Sequence, residues 1–473
     1  VKYVSSRGEA PVLGFADVLL AGLASDGGLY VPQDWPTVTA EEIRAFRGMP
    51  YKDVALRILT PFVGGEIPAP DLERMVEEAY ATFPHPAVAP LVQIGPKHFV
   101  LELFHGPTLA FKDVAMQLIA RLMDHVLKER GRRATIVGAT SGDTGGAAIA
   151  AFAGSERTDL FILFPHGRVS PVQQRQMTTS GGANIHAVAV DGTFDDCQAL
   201  VKAMFNDRRF REETALSGVN SINWGRIMAQ IVYFFTAAAS LGAPDRPLSF
   251  TVPTGNFGDI FAGYAAKRMG LPIDQLVIAT NENDILERTL ATGRYETAGV
   301  RATTSPSMDI QISSNFERLL FEAGGRDGAA IRRMMQQLTQ SGAFDLPAET
   351  LETIRAAFGA GRTSEDDTAR TIAGVLDTTA YLLDPHTAVA VKVAEEHLRD
   401  EMMVSLGTAH PAKFPAAVKA ACGIEPSLPP SHHDLMQKRE VFERLPNDLE
   451  AVERFVRERS RALRQEAAGG AAA

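Results

Sequence analysis

The chain has 473 residues, too many for one ordinary core, so two or three domains are expected; 45% hydrophobic and 22% charged residues are the proportions of a globular protein. A formal net charge of −10 argues against a nucleic-acid partner, which needs a basic face, but leaves room for a small anionic substrate in a local basic pocket. Cys197 and Cys422 are far apart and in no metal-ligand spacing, so neither a disulfide framework nor a metal is expected. The N-terminal VKYVSSRGEA lacks an apolar signal region and no run reaches membrane-spanning length, so the expectation is a cytoplasmic protein without a membrane partner.

The first ninety residues mix short helices with prolines. ADVLLAGLASDGGLYVPQDW reads as a helix, a Gly-Gly turn, a short strand and a stop, and DVALRILTPFV and DLERMVEEAYATF add two amphipathic helices. Pro84, Pro86 and Pro90 then break the pattern, which places an N-terminal, mainly helical domain at 1–92 before a catalytic α/β region at 93–473. Strands are predicted over 99–103, 135–137, 160–164, 185–190, 250–252, 276–278 and 402–406. Helices lie between them over 113–129, 145–152, 195–205, 224–241, 259–269 and 328–339. Such alternation specifies largely parallel sheets covered by helices, with ligands at the carboxyl ends of the strands. Residues 343–400 read as mostly helical and polar, an insertion or a lid-bearing segment, and 465–473 (QEAAGGAAA) as a frayed end.

Four stretches carry chemistry. In LELFHGPTLAFKD, Lys112 sits where a buried strand and a His105-Gly106-Pro107 turn give way to a helix. The helix dipole and partial burial both lower the pKa of an amine there, as attack on a carbonyl requires. In GATSGDTGG, Thr140, Ser141 and Thr144 offer hydroxyls while Gly142, Gly145 and Gly146 let backbone N–H groups approach an anion. Without a P-loop lysine the loop suits a carboxylate better than a triphosphate, and Asp143 must be protonated or turned to another partner. PTGNFGD, with Gly255, Asn256, Phe257 and Gly258 ahead of a helix, reads as a phosphate cradle of main-chain donors. SLGTAHPAKF brings Thr408, His410 and Lys413 to the last strand's end; by itself it better fits a helix start capped by threonine. Together they are what an enzyme using pyridoxal 5'-phosphate needs: an amine for the aldehyde, a grip for the phosphate and groups to tune the ring.

These residues resemble the threonine synthases of the longer bacterial and fungal type, within the fold-type II pyridoxal phosphate enzymes. SSRGEAPVLGFADVLLAGLASDGGLYVP, HGPTLAFKD, GATSGDTGGAA, SINWGRI, PTGNFGD, SPSMDIQISSNFER, DPHTA and TAHPAKF follow the family's order, with Ser6 where a threonine is more usual. The resemblance implies a smaller subdomain near 113–220 and a larger one from 93–112 and 221–473. It implies Lys112 as the Schiff-base lysine and proton shuttle, Gly255, Asn256, Phe257 and Gly258 on the cofactor phosphate, and Thr408 at the ring nitrogen. Thr140, Ser141, Asp143 and Thr144 would surround the substrate carboxylate and the ring hydroxyl, with Asp143 sharing a proton there. The implied reaction converts O-phospho-L-homoserine and water to L-threonine and phosphate, in a monomer or homodimer. Arg226 and Lys413, helped by Asn223 and Ser221, are the candidates for holding the departing phosphate, while His105 and His386 read as core or turn residues. A related phospho-lyase giving 2-oxobutyrate, and a non-catalytic cofactor-binding homologue, are the competing readings.

Overall fold

The computed structural model describes residues 1–463; the tail expected to fray at 465–473 lies outside them. Strand Tyr3–Ser5 pairs antiparallel with Tyr30–Pro32, and helices Phe15–Ala21, Ala40–Ala45, Tyr51–Val63 and Ala69–Tyr80 complete the N-terminal part. The rings of Tyr3, Trp35 and Phe62 stand 5.8, 6.0 and 5.7 Å from Trp224, so an aromatic cluster helps fasten this part to the rest, alongside ion pairs such as Arg7–Glu317 (3.0 Å).

Two sheets follow. The larger runs in the order Phe358–Arg362, Ile273–Thr280, Leu248–Pro253, Met402–Gly407, His98–Glu102 and Leu91–Gln93, all parallel except the last. The smaller runs Glu443–Pro446, Ile185–Asp191, Thr158–Pro165, Ala134–Ala139 and Leu216–Ser217, all parallel. Every residue of Thr158–Pro165 and Leu248–Pro253 is buried, as expected of strands covered by helices on both faces. Helix Trp224–Ser240 packs against helices Tyr51–Val63, Lys112–Glu129 and Gly258–Arg268 and is buried almost all round, which is why its sequence WGRIMAQIVYFF is apolar with hardly a polar stripe. Among the described residues no helix is long and apolar enough to cross a membrane.

The structure departs from the sequence reading in two places. Residues 343–400 are mostly helical, as read, with helices Ala348–Ala357, Glu365–Thr379 and Pro385–His397, but they are not an insertion or lid: Phe358–Arg362 forms an edge strand of the larger sheet, and helix Pro385–His397 packs against it. FGAGR lacks the β-branched run that marks a strand, and Gly361 is needed because a Cβ there would lie 2.6 Å from Val393 Cγ1. The C-terminal strand Glu443–Pro446 and helix Leu449–Arg459 join the smaller sheet, not the larger one expected for 221–473. They are docked by the Arg444–Asp191 and Arg461–Asp159 ion pairs and by Phe455 against Phe161. A four-residue ERLP strand carries no apolar run to announce this.

Candidate active site

Helix Lys112–Glu129 begins at the lysine itself. Asp113, fully buried, accepts from Thr108 N–H (2.8 Å) and Thr108 Oγ1 (2.6 Å), pinning the turn in front of the helix. Gly106 permits this, since a Cβ there would come within 2.5 Å of Asp113 Cβ. Phe111 N–H donates to the Thr408 carbonyl (2.8 Å), so the lysine's backbone is anchored to the last strand's loop as well. The lysine amine is buried, 3.4 Å from Asp143 Oδ2 and 3.4 Å from Ser307 Oγ, with the Phe111 ring centroid 4.9 Å away. Burial lowers its pKa; Asp143 opposes that, and the nearby Arg226 and Lys413 charges add to it. The result is an amine that gives up its proton more readily than an exposed lysine, as a nucleophile requires.

The loop after strand Ala134–Ala139 closes on itself. Thr140 Oγ1 accepts from Gly142 N–H and Gly145 N–H, each at 2.9 Å, so two donors expected to face an anion are already used. Gly142, at φ +141°, holds the corner where a side chain would meet Gln173. Asp143 Oδ1 accepts from Gln173 Nε2 (2.9 Å) and pairs with Lys413 Nζ (3.0 Å). Burial alone would raise the Asp143 pKa, but Lys413 and Lys112 together hold it well below the usual carboxylate range. In this structure Asp143 is therefore an anion turned to Lys413, Lys112 and Gln173. Ser141 and Thr144 flank it, half-buried.

The loop after strand Leu248–Pro253 is built the other way. Its carbonyls are tied back: Ser313 Oγ donates to Gly255 O (2.6 Å), and Asn315 N–H and Nδ2 donate to Asn256 O (3.0 and 2.8 Å). Phe257, at φ +64°, turns the chain into helix Gly258–Arg268, whose first-turn N–H groups have no intrahelical acceptor. Gly255 is required here, because a Cβ would sit 2.7 Å from the Ser307 carbonyl. Ser307 thus touches both the cradle, through its backbone, and the Lys112 amine, through its hydroxyl. Its N–H donates to His386 Nε2 (3.3 Å), and His386 Nδ1 is 2.8 Å from Asp384 Oδ2.

The phosphate-binding candidates separate. Lys413 is fully buried, donates to Thr108 O (2.6 Å) and Gln176 Oε1 (2.9 Å) and forms an ion pair with Asp143 Oδ1 (3.0 Å), so its charge is already matched inside the protein. Asn223 caps helix Trp224–Ser240, accepting from Gly225 N–H (2.9 Å) and donating to Leu19 O (2.9 Å), so its amide is spent on structure. The Ser221 carbonyl accepts from Asn315 Nδ2 (3.1 Å). Arg226 differs: it is buried, its Nε has no hydrogen-bond partner, and no ion pair reaches its guanidinium among the described residues. Burial pulls its pKa down to about 10, with Tyr233 and Asp259 opposing. Thr408 is buried beside Phe111, with no partner for its hydroxyl among the described residues. His410, not Thr408, caps the turn Pro411–Lys413, accepting from Ala412 N–H.

Three family models lie along the chain: Threonine synthase N terminus over residues 2–80, Pyridoxal-phosphate dependent enzyme over 83–406, and Threonine synthase, C-terminal over 387–456. The threonine synthase of Pseudomonas aeruginosa is 53% identical over 459 residues, covering 96% of this chain and 98% of that relative. The chain belongs to the threonine synthase family. Among solved structures, the PLP-bound threonine synthase from Brucella melitensis matches with a TM-score of 0.96 at 69% identity, covering 97% of this chain and 99% of that one. The yeast threonine synthase matches at 0.92 and 39% identity, covering 97% and 98%.

Membership makes the chain a fold-type II lyase that depends on pyridoxal 5'-phosphate. Its residues fit that cofactor. A buried amine of lowered pKa, a main-chain cradle whose helix-start donors have no intrahelical acceptor, and a buried guanidinium with no ion pair among the described residues complement an aldehyde that carries a phosphate. Ser307, His386, Asp384 and Gln173 were not foreseen as neighbours of the amine. Ser307 and Asp384 lie outside periodic apolar segments, and only the SPSMDIQ and DPHTA motifs marked their positions.

Proposed function

We propose that this chain converts O-phospho-L-homoserine and water into L-threonine and phosphate, by γ-elimination followed by β-addition. The observation that carries this is Ser307, whose backbone closes on Gly255 while its hydroxyl lies 3.4 Å from Lys112 Nζ, so the amine and the phosphate cradle serve one ligand. Lys112 would hold the cofactor's aldehyde carbon, Gly255, Asn256, Phe257 and Gly258 its phosphate, and Thr408 would face its ring nitrogen. When bound, the cofactor supplies the electron sink that carbanion character at Cα and Cβ requires.

The chain's own groups do the rest. Lys112 Nζ takes and returns the proton at Cα, a task suited to an amine whose pKa burial has lowered. Asp143, kept anionic by Lys413, stabilises the charged form of that amine each time it carries a proton. Ser141 and Thr144, half-buried beside Asp143, present hydroxyls to the substrate carboxylate, while Thr140 keeps their loop closed. Lys413 and Asn223 act by fixing these parts, not by touching the substrate.

Incubating the holoenzyme with O-phospho-L-homoserine and following phosphate, threonine and 2-oxobutyrate in parallel tests the reading. Threonine and phosphate in equal amounts are expected. Stoichiometric 2-oxobutyrate would instead make the chain a phospho-lyase, and a Lys112→Ala protein that kept its visible cofactor absorbance and its turnover would exclude both.

A further inference from the structure

Asp384 and His386 form a buried carboxylate–imidazole pair that the chemistry above leaves unused. Asp384 caps helix Pro385–His397, and both of its oxygens are occupied. Oδ1 accepts from Thr387 N–H (3.0 Å) and from the Thr387 hydroxyl. Oδ2 accepts from His386 N–H (3.0 Å) and faces His386 Nδ1 at 2.8 Å. A carboxylate only accepts, so the ring proton lies on Nδ1 and Nε2 keeps its lone pair. That lone pair takes Ser307 N–H (3.3 Å), a group that only donates. Donors and acceptors therefore run in one direction from Asp384 to Ser307.

The flanks of the Ser307 turn are tied down separately. Asp309 accepts from Thr303 N–H (2.9 Å), Thr303 Oγ1 (2.7 Å) and Asn281 Nδ2 (2.8 Å). Ser307 sits at the tip, in the short turn Pro306–Met308, and among the described residues its N–H has His386 as acceptor. From that tip its carbonyl packs on Gly255 and its hydroxyl reaches Lys112 Nζ (3.4 Å). The imidazole is itself enclosed: 3% of His386 is exposed, and the Phe414 ring centroid lies 4.8 Å away.

We propose that His386, set in one tautomer by Asp384, is a positioning residue that holds the Ser307 turn between the Lys112 amine and the Gly255–Gly258 cradle. This rests on the proposed function and deepens it, since His386 acts through Ser307. Asp384→Asn exchanges an acceptor for an amide N–H. With the amide oxygen kept by the two Thr387 donors, the ring proton moves to Nε2 and opposes Ser307 N–H. Two opposed donors push the turn off the amine, and such a displacement costs rate more than binding.

The test uses full-length holoenzyme as wild type, Asp384→Asn, His386→Gln and His386→Phe. Histidine tautomers are read by nitrogen NMR of isotope-labelled protein, with the His386 variants assigning the resonance. Wild type should carry the proton on Nδ1 and Asp384→Asn on Nε2. Asp384→Asn and His386→Phe should each lower kcat by roughly 10- to 100-fold and move KM for O-phospho-L-homoserine by less than about 3-fold. His386→Gln, whose amide oxygen can accept from Ser307 N–H, should recover most of that loss. A wild-type proton on Nε2 would overturn the proposal, as would full kcat in an Asp384→Asn protein whose proton has moved. Equal kcat in His386→Gln and His386→Phe would overturn it too, by reducing the ring to filled space; that comparison stands even if Asp384→Asn does not fold. The tautomer is read without turnover, so a wild type that released 2-oxobutyrate in place of threonine would count against the functional reading alone.

Discussion

Two glycine-rich loops follow parallel strands in this chain, GATSGDTGG and PTGNFGD, and by composition they are near twins. In the first, Thr140 consumes the N–H groups of Gly142 and Gly145, and an anionic Asp143 sits inside. In the second, Ser313 and Asn315 consume the carbonyls instead, while the first N–H groups of the following helix have no intrahelical acceptor. Glycine content reports only that the backbone can come close. Which end of the peptide dipole is presented is decided by side chains elsewhere in the chain, here 58 and 59 residues away.

The largest effect that would sharpen this contrast is expected at Gly255. Gly255→Ala drives a Cβ to 2.7 Å from a backbone carbonyl, whereas Gly146→Ala meets nothing nearer than 3.6 Å. Gly255→Ala should lower cofactor affinity and kcat/KM by about 100-fold or more, while Gly146→Ala stays within about 3-fold; equal losses would break the comparison. Next comes Asp143→Asn, which leaves Lys413 buried without its counter-charge and should cost about 3 kcal/mol in urea unfolding. Asp143 also opposes the lowering of the Lys112 pKa, so the variant should reach half-maximal cofactor uptake at lower pH than wild type. Thr140→Val strands two N–H groups and should cost about 1–3 kcal/mol, with Thr140→Ser restoring most of it.

The smallest effect concerns pH. Burial raises the Asp259 carboxyl to about 7, with Tyr233, Lys112 and Arg226 only partly offsetting it. The folded chain then holds a proton that the unfolded chain has lost, so this group's contribution to stability falls as pH rises from about 4 to 7. Asp259→Asn should remove that slope, and the difference in unfolding free energy between variant and wild type should grow in the variant's favour between pH 5 and pH 8. A constant difference would place Asp259 as an ordinary carboxylate.

Much of this was legible in the sequence, for identifiable reasons. The central strands are buried on both faces and read as short apolar runs; FGAGR and ERLP owe their pairing to close packing and ion pairs, which leave no pattern. The Lys112 and Gly255–Gly258 stretches stood out because a charge or a run of glycines interrupts an apolar context. Asn223 and Lys413 stood out for the same reason, yet the structure spends both internally: a polar residue in an apolar setting announces a hydrogen bond without naming the partner. Ser307 could not be singled out, since its importance comes from touching two distant segments at once.

Arg318 has no exposed surface, and its guanidinium spans three parts of the chain. It donates to Tyr30 O (3.0 Å) in the opening sheet, to Ile222 O (2.7 Å) just ahead of the Arg226 helix, and to Asn315 Oδ1, whose amide holds Asn256 O. A displacement of the Tyr30–Pro32 strand therefore reaches the peptide that aims the cradle's donors through only two side chains. The opening sheet is thus mechanically in series with the anion grip, and Arg318→Met should loosen the cofactor even though residue 318 never meets it.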